Sequence, residues 1–92
     1  MKCVRVVISG RVQGVAYRAW TERTARELGL TGWVRNRRDG TVEASFCGNA
    51  DLVDEMIHRC HSGPRLARAD AVTIEDMPGE PRPTVFEVRE TI

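Results

Sequence analysis

No stretch of this chain approaches the ~18–20 consecutive apolar residues that a membrane-spanning helix needs. The N-terminal MKCVRVVIS is broken by Arg5 and is too short for a secretory signal, so a cytoplasmic protein is expected. Cysteine is sparse and odd in number: Cys3, Cys47 and Cys60, with no CxxC pair. That count excludes a full disulfide framework and offers no metal-ligand spacing, so the expectation is reduced thiols, buried or half-buried. His58 and His61 flank Cys60, but no second cluster supplies the remaining ligands of a metal site. They read better as helix-end residues favoured by the dipole. A serine nucleophile with a histidine and an acid at recognisable spacing is missing. So are a carboxylate cluster for magnesium and a paired-carboxylate site. Any catalysis must then come from binding and orienting a substrate that is already reactive. The net charge of +1 supplies no global field for nucleic acid, although Arg11, Arg18, Arg35, Arg37 and Arg38 gather in the first half. A local basic patch of that kind can steer a small anion.

What is present suits one soluble domain: 92 residues, 41% hydrophobic and 29% charged. A chain this long buries about 60–65% of its unfolded surface, enough for one modest core. Residues 2–9 alternate, with Val4, Val6 and Ile8 on one face, as a half-buried strand does. After a glycine-bearing loop over 10–17, residues 18–29 read as a helix with Trp20, Thr24 and Leu28 on its apolar stripe and Gly29 as its cap. Residues 31–37 and 41–47 form strands joined by Asp39-Gly40, a strong hairpin signal. Asn49 caps a second helix whose stripe is Leu52, Val53, Met56, Ile57 and Cys60, stopped by Gly63-Pro64. A strand over 70–76, with Val72 and Ile74 inward, is followed by the turn MPGEPRP and a short last strand carrying Phe86 and Val88. Two one-sided helices must share one sheet. An α+β ferredoxin-like split βαβ sandwich satisfies this, with a four- to five-stranded antiparallel sheet and both helices on one face.

Two segments carry chemistry. GRVQGVAYR (10–18) joins a strand to a helix start, where successive amides can form an anion nest and the helix dipole adds to it. Arg18 can fold its planar guanidinium over the same point and offer two parallel donors to a phosphoryl group. A plain tight turn with a solvated Arg18 is the competing reading. The spacing is neither that of a P-loop nor that of a dinucleotide fingerprint. GWVRNRRDG (32–40) places Asn36 just before the hairpin turn, where its amide can orient a water but cannot deprotonate it. A turn-forming asparagine, beside arginines on a solvated face, is the alternative.

Both segments resemble the signatures of the acylphosphatase family, and GPRLARADAV resembles a further stretch of it. The resemblance implies a ferredoxin-like sandwich that hydrolyses acyl phosphates to a carboxylate and inorganic phosphate with no metal or cofactor. It implies catalytic roles for Arg18 and Asn36, and a phosphate cradle made by Gln13, Gly14, Val15, Ala16 and Tyr17. Tyr17 stands where the family often has phenylalanine, Ala16 is smaller than many equivalents, and Arg65 replaces a common proline. A related domain begins larger hydrogenase-maturation carbamoyltransferases. The chain ends at Ile92 with no zinc-finger cysteines, so a stand-alone monomer is expected, with a small-molecule substrate and neither nucleic acid nor membrane as partner. Two rival functions remain. One is a module that senses phosphate or carbamoyl phosphate without turnover. The other is an RNA-binding ferredoxin-like domain, for which Phe46 is the one strand aromatic on its strand and faces the core.

Overall fold

The computed structural model describes residues 1–78 and 83–92, and the centre of the expected MPGEPRP turn lies outside them. The elements run β1 (Lys2–Arg11), α1 (Tyr17–Glu27), β2 (Thr31–Asn36), β3 (Val42–Gly48), α2 (Ala50–Cys60), β4 (Arg68–Asp76) and β5 (Phe86–Val88). They form one sheet in the order β4-β1-β3-β2-β5. The split βαβ arrangement is as expected, with one correction. β5 runs parallel to β2, pairing Gly32 with Phe86 and Val34 with Val88, so the sheet is mixed.

Alternation on the strands sets the two faces. Val4, Val6 and Ile8 of β1, Val42, Ala44 and Phe46 of β3, and Val34 of β2 are buried toward the helices. α2 meets them with Val53, Met56, Ile57 and Cys60, and α1 with Tyr17, Thr21, Thr24 and Ala25. Phe46 stacks on Phe86 with ring centroids 5.8 Å apart, which binds the short β5 into the core. The hairpin closes as Asp39-Gly40 foretells: Arg37 donates to the Thr41 carbonyl at 2.8 Å, and Gly40 takes a φ of 94°. Asn49 caps α2 by accepting from the Asp51 amide at 2.9 Å.

The outer face of the sheet is polar and internally paired. Glu43, 3% exposed, lies between Arg5 and Arg35 and bonds both. Arg35 and Arg89 each lie over the Trp33 ring, at 4.7 and 4.9 Å from its centroid.

Three expectations change. Cys3 and Cys47 are bridged, not reduced, because the β1–β3 register sets them directly opposite, with Cα atoms 4.1 Å apart. Cys60 alone is free. Ile74 is 51% exposed, since β4 is an edge strand with a neighbour only on the β1 side. Leu52 is likewise 39% exposed, at the rim of the α2 stripe. Among the described residues no helix is long and apolar enough to cross a membrane.

Candidate active site

The β1–α1 loop is pinned at Val12, Val15 and Tyr17 and open at Gly14 and Ala16. Val12 and Val15 are buried, at 0% and 8% exposure, whereas Gly14 and Ala16 face outward. The turn demands left-handed backbone at both outward residues: Gly14 has a φ of 74° and Ala16 one of 63°. Among the described residues Ala16 is the one non-glycine with positive φ. Such a conformation costs an alanine roughly 1–2 kcal/mol, so the surrounding contacts hold it there.

Several of those contacts are visible. The Gln13 side-chain amide donates to the carbonyls of Arg37 and Thr41 at 2.7 and 2.8 Å, tying the loop to the β2–β3 hairpin. Tyr17 is 1% exposed, and its hydroxyl donates to the Cys60 carbonyl at the end of α2 at 2.6 Å. Its ring fills the space over Gly63, where an added Cβ would lie 2.5 Å from the ring edge. Burial keeps the Tyr17 hydroxyl far above its usual range, so it remains a neutral donor. Burial likewise pushes the Cys60 thiol up to about 12, which makes it inert as a nucleophile.

α1 begins without a cap. Its N-cap residue is Ala16, no side chain caps it, and its first turn has no acidic residue. The first helical bond runs from the Trp20 amide to the Ala16 carbonyl at 3.0 Å. Helix geometry therefore leaves the amides of Tyr17, Arg18 and Ala19 without a helical acceptor. Arg18 is half-buried and, among the described residues, has no hydrogen bond or ion pair. Glu22 stands one turn on and is within helical reach of it, yet pairs with Arg26 at 3.2 Å.

Asn36 ends β2. Its main-chain carbonyl accepts from the Ile92 amide at 3.3 Å, but its side-chain Oδ1 is buried with no partner. An unsatisfied buried acceptor costs about 1–3 kcal/mol and asks for an explanation. The same residue lines a cleft of about 360 Å³, together with the loop, Arg18, Ala19, Glu22 and Val88.

Of the residues singled out in the sequence, Gln13, Gly14, Ala16, Tyr17, Arg18 and Asn36 share this cleft, while the Val15 side chain turns into the core. The expected basic patch is only partly here. Arg35 belongs to the outer face with Glu43, and Arg37 pairs with Asp39 at 3.7 Å. Ala19, Glu22 and Val88 were not anticipated. Glu22 follows from its i,i+4 spacing to Arg18, and Ala19 from its i,i+3 spacing to Glu22, whereas Val88 depends on a strand pairing that spacing does not show.

The fold and the cleft define a ferredoxin-like α/β sandwich with a concave site between an uncapped helix start and a hairpin. The model of the acylphosphatase family matches residues 4–88. An acylphosphatase of Nitrobacter hamburgensis is 61% identical over 74 residues, covering 80% of this chain and 73% of that protein. One from Alcanivorax borkumensis is 48% identical over 91 residues, covering 96% and 99%. The solved acylphosphatase of Coxiella burnetii superposes with a TM-score of 0.91 at 38% identity, over 96% of this chain and 92% of that one. The chain belongs to the acylphosphatase family, and so to the hydrolases of acyl phosphates.

Proposed function

We propose that the cleft hydrolyses acyl phosphates without a metal, with Arg18 gripping the phosphoryl group and Asn36 orienting the attacking water. The open amides at the start of α1 and the main chain of the loop from Gln13 to Tyr17 receive a tetrahedral dianion. The unpaired Arg18 guanidinium takes two of its oxygens. The Asn36 Oδ1 accepts one proton of a water, which aims the oxygen lone pair at phosphorus in line with the acyl oxygen. Attack forms the new P–O bond as the acyl P–O bond breaks and its electron pair leaves on the carboxylate. That leaving group is a weak base, with a conjugate-acid pKa of about 4, and needs no protonation. The water's proton passes to a phosphate oxygen, so no side-chain base is called for. Rate comes from positioning and charge stabilisation. One chain supplies every group, so a monomer suffices.

The single observation that carries this reading is the buried, unpartnered Asn36 Oδ1 in the cleft entered by the unpaired Arg18. The test is release of phosphate from benzoyl phosphate in the presence of a chelator, with inorganic phosphate as competitor. Asn36→Ala is expected to lower kcat by about 10²–10³ and to leave the inhibition constant of phosphate nearly unchanged. Turnover by Asn36→Ala at the wild-type rate, or activity abolished by the chelator, overturns the reading. Phosphate binding without turnover would make the chain a sensor.

A further inference from the structure

The phosphoryl end of the cleft says nothing about which acyl group it accepts, but the other lining residues do. Ala19 and Glu22 lie three residues apart on one face of α1, and Val88 on β5 lines the same cleft. Among the lining residues Arg18 and Glu22 alone carry formal charge. With Arg18 given to the phosphate, Glu22 sets the polarity of everything beyond it. Its carboxylate is held in place by Arg26, 3.2 Å away. Arg26 in turn donates to the Phe86 carbonyl at 3.0 Å and so fixes the strand that carries Val88. One strut thus sets both the apolar and the acidic part of the lining.

We infer that Glu22 is a specificity-determining residue: the acyl group lies against Ala19 and Val88, and the Glu22 carboxylate at its rim selects uncharged or cationic acyl phosphates over those bearing a second anion. This rests on the phosphate placement proposed above. The discrimination is modest, because Arg26 offsets part of the charge and the rim is partly solvated.

The test uses three probes on one benzoyl scaffold: benzoyl phosphate, 4-carboxybenzoyl phosphate and 4-(aminomethyl)benzoyl phosphate. Each is read as kcat/KM relative to benzoyl phosphate within the same variant, so that differences in active fraction cancel. Glu22→Gln is expected to raise the relative value of the carboxy probe about three- to ten-fold and to lower that of the aminomethyl probe. Arg26→Gln, which leaves the Glu22 charge unopposed, shifts both in the opposite sense, and Glu22→Asp keeps the wild-type order. The effects shrink as salt rises. Relative values that stay flat in Glu22→Gln and Arg26→Gln overturn the inference alone. So does a shift of both charged probes in the same direction, which would be a shape effect. Failure of the wild-type chain to hydrolyse benzoyl phosphate at all overturns the placement of the phosphate as well.

Discussion

The two helices are equally long, each of eleven residues, and they begin in opposite ways. α2 obeys every local rule: Asn49 caps it, Asp51 sits in its first turn, and His58 and Arg59 occupy its last. α1 breaks each rule at its start, with a left-handed alanine as N-cap, no capping side chain and no acid in the first turn. Both lie on the same sheet and each buries four of its residues, so poor folding does not explain the difference. On the proposed reading, the helix end left open in a fold that caps its twin is the one that takes the ligand, and the ligand that an open N-terminus favours is an anion. Departures from local consistency are expected where function competes with stability.

The sharpest way to break this comparison is to remove the unpaired cation that lines the same cleft. Arg18→Ala is expected to lower kcat/KM by more than 10³, about 4 kcal/mol or more. The melting temperature should hardly move, because Arg18 has no partner to lose among the described residues. Arg18→Lys should recover little, since a point charge lacks the planar fork. A variant that unfolds in step with its loss of activity would show that Arg18 is structural.

A second substitution makes α1 resemble α2. Ala16→Asp puts a carboxylate at the open helix end, in a backbone conformation that aspartate tolerates better than alanine. It should stabilise the fold by about 0.3–1 kcal/mol through the dipole. It should also weaken inhibition by inorganic phosphate at least ten-fold, on the order of 1.4 kcal/mol, because it repels the dianion. Stability and binding must move in opposite directions. If phosphate inhibition is unchanged, the open amides are not the cradle.

How much of this was legible beforehand follows the range of the forces involved. The Asn49 cap, the Asp39-Gly40 turn, the strand alternation around Val4, Val6 and Ile8, and the stripe of α2 depend on neighbours a few residues away. All of these could be read from the chain. The two halves of the cleft, the loop before Arg18 and the strand end at Asn36, were legible as motifs and as a family resemblance. The tie between them was not: the Gln13 amide reaches carbonyls 24 and 28 residues on. The Cys3–Cys47 bridge, 44 residues apart, depends on strand register, and the parallel pairing of β5 on a crossover. Neither has a local signature. The tyrosine in place of the usual phenylalanine at position 17 is visible in the sequence, but its consequence is not. Its hydroxyl reaches the end of α2, a partner visible only once the helices are packed.

The control for the comparison is the helix that follows the rules. Asn49→Ala should cost about 1 kcal/mol, a fall in melting temperature of about 4–8 °C for a domain of this size. Its kcat/KM should stay at the wild-type value, because the cap serves only the fold. A loss of activity without loss of stability would mean that the two helix starts are not functionally distinct.

The smallest effect comes from the outer face, where the arginines differ from Arg18 in having an answer. Burial alone would push the Glu43 carboxyl up, but the hydrogen bonds and charges of Arg35 and Arg5 outweigh it and hold the group below its usual 4.5. A carboxyl depressed in the folded state contributes stability that is complete above its unfolded pKa and is lost as pH falls through the folded one. Acid unfolding should therefore steepen below about pH 4.5, where the unfolded chain binds the additional proton. Glu43→Gln should flatten that limb, and it leaves Arg5 and Arg35 sharing a neutral partner at every pH. Urea midpoints measured between pH 3 and pH 7 give both slopes. An unchanged acid limb in Glu43→Gln would mean that Glu43 does not hold its two arginines through its charge. The pairing that distinguishes this face from the open cation of the cleft would then be only geometric.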